Sequence, residues 1–165
     1  MILQENNPQY LDGEVFKTVV EHTPLVSVDL IVKNEDKVLL GKRVNNPAQG
    51  YWFTLGGRVL KGESIASAIE RIEKDELGIV VNSNPKFIGV FEHLYDDSIF
   101  EGISTHYLNL GYEIEVSSLE DLPAEQHDYY HWFGLEELIQ SSEVHPYVKD
   151  YFTEKKGTVP QKKEN

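Results

Sequence analysis

Two glycines and a row of spaced isoleucines constrain this chain more than anything else in it. In the stretch GRVLKGESIASAIERIEKDELGI, Gly57 follows Gly56 in a turn and Gly78 closes the segment. Between them Ile65, Ile69 and Ile72 fall at i, i+4 and i+7. That spacing gathers the isoleucines on one face of a helix as its buried stripe. Gly78 stands where a left-handed cap stops a helix. The reading is a helix over Glu63–Leu77, with its acidic residues on the remaining faces.

The rest of the chain alternates around it. Residues 11–21 read as a short helix with apolar Val15, Phe16, Val19 and Val20. LVSVDLIVKN reads as a strand carrying Asp29 among apolar neighbours, and KVLLGKR as a second strand after the turn Asn34-Glu35-Asp36. Tyr51–Thr54 is a short strand leading to the glycines. Further strands are expected at 86–94, 104–116 and YYHWFGL, with short helices near 135–140 and 145–154. Strands alternating with two substantial helices give an α/β fold. Without repeat or linker, residues 1–155 form one domain, and 156–165 a frayed tail.

Charge and composition limit the partners. The chain has 165 residues, 28 acidic against 15 basic, for a net charge of −13. Such a surface repels polyanions, so nucleic acid and anionic membrane are not expected partners, whereas a small anion held by local arginines and a metal is. There is no cysteine, so any metal is held by oxygen or nitrogen. MILQENNPQY lacks a basic flank and a long apolar core, and no apolar run approaches the ~20 residues that span a bilayer. The expected compartment is the cytoplasm.

The spacing of Gly57, Glu63, Arg71, Glu76 and Gly78 resembles the Nudix box, a loop–helix–loop that holds a divalent metal against a nucleoside diphosphate. The resemblance implies the Nudix fold, an α/β/α sandwich around a mixed sheet. It makes Glu76 a metal-binding glutamate, Gly57 a carbonyl ligand of the metal, and Arg71 the arginine that organises the glutamates by ion pairing. The pattern also departs from the family. Ile72 replaces a glutamate, Glu73 fills a position usually apolar, Asp75 stands for the first of two paired glutamates, and Leu55 for a proline. Glu73 and Glu76, three apart, are expected side by side on the helix.

LLGKRVNNPAQGYWFTLGGRV, TPLVSVDLIV, THYLNLGY and AEQHDYYHW together resemble the GDP-mannose mannosyl hydrolases, a branch that lacks the same glutamate and attacks the sugar carbon. The likeness runs from about Phe16 to Tyr151. It implies Gln126 as a third metal ligand and His127 as general base, since an imidazole titrating near ~6.5 suits water activation at neutral pH. It also implies Arg43, Arg58 and Tyr107 as donors to the departing diphosphate. Asp29, His93 and Arg71 belong to the substrate side. The implied cofactor is Mg²⁺, with Mn²⁺ able to replace it, the ligand a nucleotide sugar, and the assembly a homodimer.

Read without the resemblance, His127 is a solvated loop histidine, and Asp29 is as much a structural carboxylate as a functional one. His93 and Tyr107 sit in strands, where aromatic rings belong. Trp52, Trp132, Tyr129 and Tyr130 are expected in the core or an interface, and His106 and His131 are structural. Three functions stay open: hydrolysis of GDP-mannose, or GDP-glucose, to GDP and hexose; phosphoanhydride cleavage of another nucleoside diphosphate derivative; and nucleotide-sugar sensing without turnover.

Overall fold

The computed structural model describes residues 10–81, 84–117 and 129–153. Its elements are α1 (Gly13–His22), β1 (Leu25–Asn34), β2 (Lys37–Lys42), β3 (Trp52–Phe53), β4 (Leu55–Arg58), α2 (Ile65–Leu77), β5 (Lys86–Tyr95), β6 (Thr105–Glu115), β7 (Tyr130–Gly134), α3 (Leu135–Gln140) and α4 (Pro146–Asp150). The strands form one 7-stranded sheet in the order β3-β2-β1-β6-β5, with β4 added to β1 and β7 to β2. β1 is the pivot. One edge pairs in parallel with β6 from Leu25↔Tyr107 to Lys33↔Glu115, and the other holds β4 and then β2, both antiparallel. The sheet is therefore mixed.

Alternation along β1 builds the layers. Val28, Leu30 and Val32 point to one face, where α2 covers them with Ala68, Ile69, Ile72 and Leu77. Ile31 points to the other, packing with Leu40, Phe53 and Phe91 against Leu138 of α3 and Val148 of α4. Helices on both faces of a mixed sheet make an α/β/α sandwich. Among the described residues no helix is long and apolar enough to cross a membrane.

Two local features differ from the sequence reading. The long helix begins at Ile65, because the Ser64 side chain accepts from Ser67 N as its cap, leaving Glu63 outside the helix. Gly78, at φ 73°, ends it as expected. Gly56-Gly57 are strand, not turn: Leu55–Arg58 pairs with Ser27–Leu30. A Cβ on Gly56 would lie 2.6 Å from Val28 O and 2.7 Å from Asp29 Oδ1, so only glycine lets β4 run this close to β1. The remaining elements fall within a few residues of expectation, with α4 shorter, at Pro146–Asp150.

Candidate active site

Below Ile31 and Phe91, the sheet face shared with α3 and α4 changes character. On β1 the next positions on that face are Asp29 and Ser27; on β6 they are Asn109 and Tyr107; on β5 they are His93 and Tyr95. β1 and β6 run parallel and β5 antiparallel, so register brings these polar positions to one end of the sheet. A cleft of about 820 Å³ opens there, and Arg43, Gly57, Arg58, Glu76 and Tyr130 are among the other residues that line it.

Two carboxylates face this space in different settings. Asp29 is buried, accepts a hydrogen bond from the Tyr151 hydroxyl, and has its pKa pushed up to about 6 by loss of solvent, against the pull of Tyr151 and Arg43. Glu76, on α2, accepts from the Tyr130 hydroxyl at 2.7 Å, and burial again raises its pKa. A cation beside Glu76 would offset that penalty. The Gly57 carbonyl, opposite Val28 in the β1–β4 ladder, accepts from Ser27 Oγ at 3.0 Å, a bond that a cation at this oxygen would replace. Among the described residues no three His, Asp or Glu side chains cluster tightly enough to hold a metal alone. One carboxylate and one carbonyl fit a Mg²⁺ ion that takes its remaining oxygens from substrate phosphates and water.

The arginines divide their work. Arg43 is anchored by its Nε, which donates to Pro47 O at 2.7 Å, and its guanidinium lies 5.6 Å from the Phe53 ring centre. Arg58 lies 3.9 Å over the Phe16 ring, so α1 supports it from behind. Arg71 lies outside this lining. Its Nε and Nη2 take both oxygens of Glu63, at 2.7 and 3.0 Å, Nη2 also donates to Arg58 O at 2.8 Å, and Nη1 approaches Asp75 at 3.7 Å. Its guanidinium holds the Glu63 carboxyl below the usual carboxylate range. Arg71 thus clamps the loop before α2 to the end of β4 and touches neither Glu73 nor Glu76.

Of the residues singled out from sequence, Asp29, Arg43, Gly57, Arg58, Glu76, His93 and Tyr107 share one cleft. Gln126 and His127 lie outside the described residues. Glu73 is not beside Glu76 in the cleft: it is 1 % exposed, accepts from Val81 N at 3.2 Å, and its Oε1 has no partner among the described residues. Sequence reasoning missed Tyr130, read as core or interface, which holds Glu76. It also missed Ser27 and Asn109, although strand alternation places them on the face of Asp29 and Tyr107.

The family profile of the NUDIX domain matches residues 23–155. The chain belongs to the Nudix family. Its box departs from the family pattern inside a preserved fold, with Ile72 packed 1 % exposed in the core. Agl8 of Haloferax volcanii, a low-salt glycan biosynthesis protein, is 40% identical over 142 residues, covering 86% of this chain and 88% of that protein. An ADP-ribose pyrophosphatase of Methanocaldococcus jannaschii is 29% identical over 135 residues, covering 81% and 76%. Among solved structures, a MutT protein from Methanosarcina mazei Go1 superposes with a TM-score of 0.62 at 24% identity, covering 79% of this chain and 92% of that one. The NUDIX domain of Shewanella oneidensis NrtR, crystallised with ADP ribose, gives 0.61 at 17% identity, covering 86% and 90%. At these identities the structural likeness concerns the fold.

Proposed function

We propose that this Nudix protein hydrolyses GDP-mannose, or GDP-glucose, to GDP and the free hexose, with water attacking the anomeric carbon. The observation that carries the reading is Ile72. Its side chain is in the core, 3.2 Å from where a Gly57 Cβ would lie, so α2 brings Glu76 to the cleft without the second carboxylate of the family pattern. A site built to activate water at phosphorus uses several carboxylates to gather metal; attack at carbon needs its base elsewhere.

The lining suits such a substrate. Arg43, Arg58 and Tyr107 supply charge and hydrogen-bond donors for the diphosphate, and burial raises the Tyr107 pKa, so its hydroxyl stays a neutral donor. Asp29 and His93 supply uncharged or partly charged groups for sugar hydroxyls. Bound Mg²⁺, held by Glu76, the Gly57 carbonyl and Gln126, would neutralise charge on the leaving phosphate. His127 takes a proton from water as its oxygen bonds to the anomeric carbon. The bond from that carbon to the phosphate oxygen breaks with its electrons going to GDP, through an oxocarbenium-like state and with inversion. A relative in glycan biosynthesis fits a nucleotide-sugar substrate.

The similarity to an ADP-ribose pyrophosphatase favours a second reading, cleavage of the phosphoanhydride. Products decide between them. With GDP-mannose and Mg²⁺, GDP plus mannose is the expected outcome, whereas GMP plus mannose 1-phosphate would overturn attack at carbon.

A further inference from the structure

His93 leaves a hydrogen-bonding atom unmatched in a tightly held ring. The residue is 2 % exposed, and its ring stacks on Tyr147 with centres 4.2 Å apart and planes 2° from parallel. Phe53 meets it edge-on at 6.0 Å. The side-chain nitrogen of Asn109, itself 3 % exposed, lies 2.6 Å from Nδ1. The amide nitrogen, turned to the ring, donates, so Nδ1 is the accepting nitrogen and the proton of the neutral ring sits on Nε2. Nε2 is buried, belongs to a residue lining the cleft, and has no partner among the described residues. Loss of solvent, with His145 nearby, pushes the ring pKa down to about 3, so the imidazole is neutral at working pH.

The geometry points to Asn109 as a positioning residue that fixes His93 in its Nε2–H tautomer, so that a ligand oxygen that displaces the groups now covering Nε2 meets a neutral, pre-oriented donor at this end of the cleft. A neutral donor adds little to phosphate binding, which the arginine end already serves, and recognises an uncharged oxygen instead. Naming that oxygen as one of the hexose rests on the proposed function; the tautomer does not. If the amide were reversed, its oxygen would accept from Nδ1–H and Nε2 would become an acceptor, the opposite chemistry. The amide of Asn109 therefore sets which kind of ligand group the histidine can read.

Two-bond ¹H–¹⁵N correlations on the full chain at neutral pH report the tautomer directly, without any variant. The expected result is a protonated Nε2 and a bare Nδ1; a protonated Nδ1 overturns the proposal. Asn109→Asp, whose carboxylate can only accept, is expected to move the proton to Nδ1, and Asn109→Leu to leave a mixture. If both variants keep the proton on Nε2, Asn109 does not fix it and the proposal falls. Titration with GDP and with GDP-mannose in the absence of divalent metal, where the sugar nucleotide is not turned over, tests the use of the donor. His93→Phe should lose about tenfold in GDP-mannose affinity and none for GDP, and Asn109→Leu about twofold, in proportion to the Nε2–H population it keeps. Unchanged GDP-mannose affinity in His93→Phe overturns the proposal. Wild-type protein that binds GDP-mannose no tighter than GDP overturns the hexose reading, while the tautomer measured in the free protein still supports Asn109.

Discussion

At Asp29 the structure places a carboxyl group, only 5 % exposed, on the wall of the cleft, with its pKa raised to about 6 against 3.8 for the free side chain. Between those values the folded protein holds a proton that the unfolded chain has released. Stability therefore falls as pH rises from about 4 to about 6, by roughly 3 kcal/mol in total. Asp29→Asn should remove that slope and stabilise the protein at neutral pH while slowing turnover, as urea denaturation across the pH range and a product assay would record. Tyr130 makes a different kind of contribution, holding Glu76 through its hydroxyl. Tyr130→Phe should weaken metal affinity about 10- to 100-fold with the fold intact, measured by Mn²⁺ titration. His127→Gln should slow kcat by ~10² to 10⁴ and leave residual turnover, since a general base contributes on that scale. Asp29 was visible in the sequence as an acid in an apolar strand. Tyr130 was not, because its partner lies 54 residues away and only the pairing of β7 with β2 brings the two together.

The elements explain why the altered box stays folded. α2 presents Ile72 to the core and Glu76 to the cleft, and Arg71, in its second turn, fastens the preceding loop at Glu63 and the end of β4 at the Arg58 carbonyl. Restoring the family glutamate by Ile72→Glu would put a carboxylate against Val28, Leu55 and Leu77, with Arg58 and Arg71 only on the side that opens to a small pocket. The expected cost is about 3–5 kcal/mol, read as a fall in Tm, with no gain in phosphoanhydride cleavage. Gly56→Ala tests the other wall. Its Cβ would strike Val28 O, so β4 must separate from β1, at a cost of about 3 kcal/mol and with Arg58 displaced from the cleft. Helix α2 was legible because period 3.6 and a terminal glycine are local signals. β4 was not, since a four-residue strand containing two glycines announces a turn until its neighbour is known.

Over the whole molecule, a net charge of −13 surrounds a cleft lined by Arg43 and Arg58. The overall field and the local one oppose each other, and at physiological salt the overall field is screened beyond about 8 Å. The protein should pass through heparin and fail to retard duplex DNA at 150 mM salt, yet bind GDP in the presence of Mg²⁺. Retention on heparin would mean that the arginines are displayed on the surface. The sequence by itself determined the strand and helix periods, the box spacing with its missing glutamate, and the net charge of −13, because each is a property of neighbouring residues or of their sum. The tertiary structure alone decided that Glu73 is buried while Glu76 faces the cleft, that Arg71 clamps Glu63, and that Tyr151 reaches Asp29 across 122 residues. Those outcomes depend on which faces of distant elements pack together, and strand register, not spacing along the chain, sets that.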